Sequence, residues 1–174
     1  MTYDVDMDQI IIDAVEIFQN GFACSEAVIY SIKKNFDLEI SDDAIAMSSG
    51  FPWGLAGAGC ICGALAGGTM CIGYFFGRRT PGDVSSYMKC QELTIELHDY
   101  FKQLNGASCC RILTKGMEKN SQERKEQCIK FVESTVRKVA EIIIREKMQK
   151  CCFCKIFIFF SYPQNKKYIT MKHM

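Results

Sequence analysis

Between Ala44 and Gly77 the chain carries no charged side chain, and Arg78-Arg79 follow at once. A run of that length must be buried somewhere, either in hydrocarbon or at the centre of a folded core. Its composition favours the core. Gly, Ala, Ser and Cys dominate, with Pro52 and Trp53 near the front, so the segment gains little from lipid compared with a Leu/Ile/Val-rich span. The spacing Gly59, Gly63, Gly67 suits either a membrane dimerisation face or a helix packed closely inside a soluble protein. We expect a soluble protein built around this segment, with a membrane span as the minority reading.

The rest of the chain reads as helices. Residues 5–20 set Ile10, Ile11, Ala14, Val15 and Phe18 at three- and four-residue spacing, stopped by Asn20-Gly21. A helix over about 23–36 carries Ala27, Val28, Ile32 and Phe36, and Ser41 can cap a short helix ending at Met47. The stretch Gly50 to Gly59 reads as a glycine-rich loop that opens into a buried helix from about Cys60 to Phe76. Thr80-Pro81-Gly82-Asp83 is a helix start for about 82–104, with Val84, Tyr87, Cys90, Leu97, Phe101 and Leu104 as its stripe. Asn120 with Glu123 looks like a capping box for a last helix, on which Cys128, Phe131, Val132, Val136, Val139 and Ile143 share a face. No β alternation stands out before residue 150. The fold class is therefore all-α, a single-domain bundle of five to six helices with a glycine-rich loop leading into a buried central helix.

We place the domain at 1–148. Residues 149–174 form an atypical cysteine- and aromatic-rich tail, outside the core, whose apolar part is too short to span a membrane and has no cap or clear periodicity. It reads as a peripheral anchor, a small strand or an appendage. With 21 basic and 20 acidic side chains the net charge is +1, which leaves no dominant basic face and argues against nucleic acid as a partner. The start is acidic and lacks a secretory pattern, so a cytoplasmic location is expected. Eleven cysteines, an odd number, do not suggest a disulfide scaffold in that compartment.

Four of those cysteines, Cys24, Cys62, Cys110 and Cys128, are far apart in sequence, so only a folded helical core could gather them. Gathered thiols serve metal binding or redox chemistry. Cys62 falls in the first turn of the glycine-rich helix, where the helix dipole favours a thiolate, and Cys128 lies on an apolar stripe. On a helix Cys60 and Cys62 diverge, and Cys71 stands about half a turn round and roughly 13 Å along from Cys62. Cys60, Cys71, Cys90 and Cys109 are therefore read as apolar filler, with Cys60, Cys90 and Cys109 kept as secondary candidates. From the residues alone, filler and function are equally consistent for the other four. Gly63, Gly67 and Gly68 inside a helix each cost about 1 kcal/mol relative to alanine, so a close backbone approach or a bound group must offset them. There is no Cys-x-x-Cys pair, and Gly57-Ala58-Gly59 has Cys62 where a dinucleotide loop needs its third glycine. With two histidines, His98 and His173, a Cys–His nucleophile pair has little to build on.

At Gly21-Phe22-Ala23-Cys24, Cys62-Gly63-Ala64-Leu65-Ala66-Gly67, Cys110-Arg111-Ile112-Leu113 and Cys128 followed by Phe131-Val132, the chain resembles the bacterial and archaeal family named for its motif, C_GCAxxG_C_C, described as redox-active. The resemblance covers roughly 8–146. It implies a helical domain with four key cysteines, here Cys24, Cys62, Cys110 and Cys128, supported by Gly63, Ala64 and Gly67. Members are often encoded near transporter genes, and a related domain occurs in some multihaem cytochromes. Cys60, Cys71, Cys90, Cys109 and the tail depart from the pattern.

The leading expectation is a redox module, an electron carrier more than an enzyme, in which three or four of these thiols hold an iron–sulfur cluster. The close rival is a reversible dithiol/disulfide. A third reading is a structural or partner-binding domain with zinc or no metal. A redox partner is implied, linked through the resemblance to a transporter system; a homo-oligomer is compatible with all three readings.

Overall fold

In the computed structural model, residues 5–159 are described, with side chains over 5–148. The tail's remaining residues, 160–174, and the side chains of Cys151, Cys152 and Cys154 lie outside the described residues. Eight helices follow in order: α1 (Met7–Gln19), α2 (Cys24–Asn35), α3 (Asp42–Ala46), α4 (Pro52–Leu55), α5 (Gly63–Phe76), α6 (Val84–Asn105), α7 (Cys110–Leu113) and α8 (Gln122–Phe159). Among the described residues there is no strand, only an isolated antiparallel bridge between Ile61 and Cys109. The chain is all-α. The five longer helices (α1, α2, α5, α6 and α8) form the bundle, and the three short ones turn the chain around its centre.

The helix starts follow local chemistry. Asp6 caps α1 by accepting from the Asp8 and Gln9 amides, and Ser41 caps α3 by accepting from the Ala44 amide. Two caps lie one to three residues beyond their expected place. Thr80-Pro81-Gly82 forms the turn that delivers Asp83, whose carboxylate accepts from the Ser86 amide at 3.0 Å. Asn120 adopts φ 65° and turns the chain, so that Ser121 caps α8 by accepting from the Arg124 amide at 3.2 Å. At the expected change of character after Met148, α8 continues without a break to Phe159. Among the described residues no helix is long and apolar enough to cross a membrane.

The uncharged segment is the centre of the bundle. Helix α5 packs against α2, α6 and α8, with Ala64, Leu65, Cys71 and Ile72 buried. Gly67 and Gly68 are there for close approach. A Cβ at Gly67 would overlap the Ser25 carbonyl of α2, and one at Gly68 would meet Thr135 of α8 at 2.7 Å and Leu97 of α6 at 3.0 Å. The intrinsic cost of helical glycine is thus offset by helix crossings that a methyl group would hold apart.

The α6 stripe differs from the sequence expectation. Leu93, Leu97 and Phe101 are buried, whereas Val84, Tyr87 and Leu104 are exposed. Only the middle turns of this 22-residue helix lie over α5 and α8, so both ends overhang the core. On α8 the expected face is confirmed: Phe131, Val132, Val136, Val139 and Ile143 are all buried.

A four-thiol candidate redox site

Four separate elements each bring one cysteine to the same end of the bundle. Cys24 is the first residue of α2, Cys62 is the N-cap of α5, Cys110 opens α7, and Cys128 lies in the second turn of α8. All four line one cavity of about 570 Å³. They are near enough that charge on Cys62, Cys110 or Cys128 would be felt at Cys24, and charge on Cys110 or Cys128 at Cys62.

Cys62 and Cys110 are held by backbone pairing rather than by helix. The Cys62 amide donates to the Ser108 carbonyl at 2.8 Å, and the Cys110 amide to the Cys60 carbonyl at 3.1 Å. The Arg111 amide donates to the Gly59 carbonyl at 3.1 Å. This corrects the expected helix start near Cys60. Residues 60–62 are extended because their backbone groups are taken by 108–110, and α5 begins only at Gly63.

Two glycines make room for sulfur. A Cβ at Gly63 would overlap Cys24 Sγ, and one at Gly54 would stand 2.8 Å from Cys110 Cβ. Gly54 sits in the irregular single turn α4, where Trp53, Leu55 and the following Ala56 have φ between 53° and 60°, left-handed values that cost non-glycine residues energy. The same segment places Trp53 in the cavity lining.

The profile of the family described as "Putative redox-active protein (C_GCAxxG_C_C)" matches residues 22–142, a span that holds all four thiols. The chain belongs to this C_GCAxxG_C_C family. A protein of Archaeoglobus fulgidus, named only "Uncharacterized protein", is 22% identical over 129 residues, covering 71% of this chain and 85% of that one. No solved structure matches the chain.

The motif's chemistry is set by burial. Burial pushes the Cys62 thiol up to about 12, and neighbouring Cys110 and Cys128 add to the rise. The amides of Leu65 and Ala64 pull the other way, as expected at a helix N-terminus, although no side-chain capping hydrogen bond forms. Desolvation outweighs the dipole here. Burial likewise raises Cys24, reinforced by Cys62 and Cys128, against an opposing hydrogen bond from the Ser25 amide. It also raises Cys128, where the Arg124 guanidinium partly opposes it. Bare thiolates are therefore disfavoured unless a cation or a covalent bond takes up the sulfur.

Arg124 is the site residue that sequence reading missed. One turn before Cys128 on α8, it donates from Nη2 to Cys110 Sγ at 3.7 Å and lies 4.7 Å from the Trp53 ring centroid. The only signal in the sequence is its i−4 spacing from Cys128. Among the described residues, the cysteines outside the family motif stand apart from the cavity lining. Cys71 is buried in the core, and burial raises its thiol to about 12. Cys90 is half-buried on α6, Cys60 is exposed, and Cys109 is half-buried opposite Ile61.

Proposed function

We propose that Cys24, Cys62, Cys110 and Cys128 ligate an iron–sulfur cluster and that the protein carries single electrons. The observation that carries this reading is the convergence of four buried or half-buried thiols from four elements on one cavity. The donor set fits: an all-sulfur site suits iron–sulfur clusters or zinc. Among the described residues no three candidate ligands are close enough to hold a single ion. When bound, a cluster supplies one-electron uptake and release at little structural cost. The protein's own part is to hold the sulfurs, to wall the cavity with Trp53, and to set the Arg124 charge beside the site.

Protein purified without oxygen should be brown and contain iron and sulfide in near-equal amounts, and serine at any of the four positions should lower both. A colourless, iron-free preparation overturns the reading. The Arg124 contact supports a second reading, a reversible disulfide, because a cation beside Cys110 and Cys128 suits an attacking thiolate. In that case two thiols lose two protons and two electrons to an external oxidant and form one S–S bond. Mild oxidation would then remove two titratable thiols from metal-free protein.

A further inference from the structure

Behind Trp53 and Arg124, on the far side from the thiols, lies a second cleft of about 330 Å³. Four cations border it, Arg111, Lys115, Lys119 and Arg124, and no carboxylate does. None of the four makes an ion pair among the described residues, although the protein's other cations include several that do. Like charges gathered without counter-charge repel one another, so an arrangement of this kind calls for an anion.

The floor of the cleft is the loop Gly57-Ala58-Gly59. Gly57 has φ 103° and Gly59 has φ 78°, and these left-handed turns are open to glycine. Gly59 also makes room for a basic side chain, and Lys119 lies in ordinary contact distance of Gly57. A Cβ at Gly59 would stand 2.8 Å from Arg111 Cβ and 3.4 Å from Arg111 Nε, and one at Gly57 would stand 3.9 Å from Lys119 Nζ. The loop therefore lets Arg111 lie directly against its backbone, with Lys119 beside it. Arg124 adds an independent observation. Its Nε is buried and has no hydrogen-bond partner, a donor in need of an acceptor.

We propose that this cleft binds a phosphate-type oxyanion, a tetrahedral polyvalent group that Arg111 and Arg124 can grip through paired N–H donors while Lys115 and Lys119 neutralise it. The group is carried either free or on a small organic molecule. The site does not depend on whether the thiols hold a cluster or a disulfide. Because Arg124 borders both cavities, an anion bound here sits one side chain away from Cys110.

The test is calorimetric titration of the full-length, reduced protein at low salt with inorganic phosphate, pyrophosphate and glycerol 3-phosphate. Saturable one-to-one binding is expected, at least tenfold weaker in the R111A/K119A variant. The charge-matched K102A/K130A variant, altered at exposed lysines elsewhere, should bind as the parent does. Stronger binding of glycerol 3-phosphate than of inorganic phosphate supports an organic phosphate as the occupant; the reverse supports the free anion. In a parallel NMR titration the Gly57 and Gly59 amides should shift. No saturable binding at millimolar concentration, equal loss in both double variants, or shifts confined to other residues would overturn the proposal.

Discussion

One added methyl group on α5 should change stability in opposite directions at residues 63 and 73. In Gly63→Ala the Cβ falls on the Cys24 sulfur and within 3.3 Å of the Phe51 carbonyl oxygen, so the helix must shift. We expect a loss of about 1–3 kcal/mol in urea unfolding, together with loss of whatever the four thiols bind. At Gly73 nothing lies within 4 Å of the added Cβ, so Gly73→Ala should gain about 0.5–1 kcal/mol from helix propensity. Equal effects at both positions would show that the Gly63–Cys24 contact is not a constraint. Thiol burial is also a residue-scale property. In metal-free reduced protein, exposed Cys60 should be alkylated first, and Cys62 should resist until the pH nears about 12. Mass mapping of the alkylated peptides reads the order directly.

Between elements, α6 and α8 are joined by one charged cluster. Glu96 on α6 accepts from Arg145 Nη1 at 2.8 Å and Nη2 at 2.7 Å, and pairs with Lys138 at 2.8 Å. The hydrogen bonds from Arg145 come first among the causes that hold its carboxyl down to about 2, against burial, which raises it. A carboxylate held below its ordinary value of 4.5 contributes stability above that pH and loses it as pH falls towards about 2. Glu96→Gln should therefore cost about 1–2 kcal/mol near neutrality, after allowance for solvent screening, and leave a flatter acid limb in chemical unfolding. Buried thiols act at the other end of the scale. Cys71, raised from 9.0 to about 12 by burial alone, contributes stability below its ordinary value that is lost as pH climbs through the raised one. Metal-free Cys71→Ala should lose less stability than the parent between those limits.

For the molecule as a whole, the site exists only as a meeting of α2, α5, α7 and α8. Its spectroscopic signal and the far-UV helical signal should vanish together in urea, because no single element holds two of the four thiols. A site signal lost at lower denaturant would instead show that the pairing of 59–62 with 108–111 opens as a local unit. The long helices were legible in the chain because their apolar spacing and caps are local: Ile10 and Ala14 on α1, Ala27 and Ile32 on α2, Phe131 and Val136 on α8. The buried glycine-rich helix was legible too, from the absence of charge. The extended turn at Cys60 to Cys62, the short helix at Cys110 and the place of Arg124 were not. Each depends on a partner tens of residues away, and a lone arginine between Glu123 and Lys125 has the pattern of a solvated face. By itself, then, the sequence determined an all-helical chain wrapped round an uncharged centre and marked four thiols by their family motif. Only the tertiary structure decided that they share one cavity, because long-range backbone pairing and the missing Cβ atoms at Gly54, Gly63 and Gly67 set how closely these segments approach.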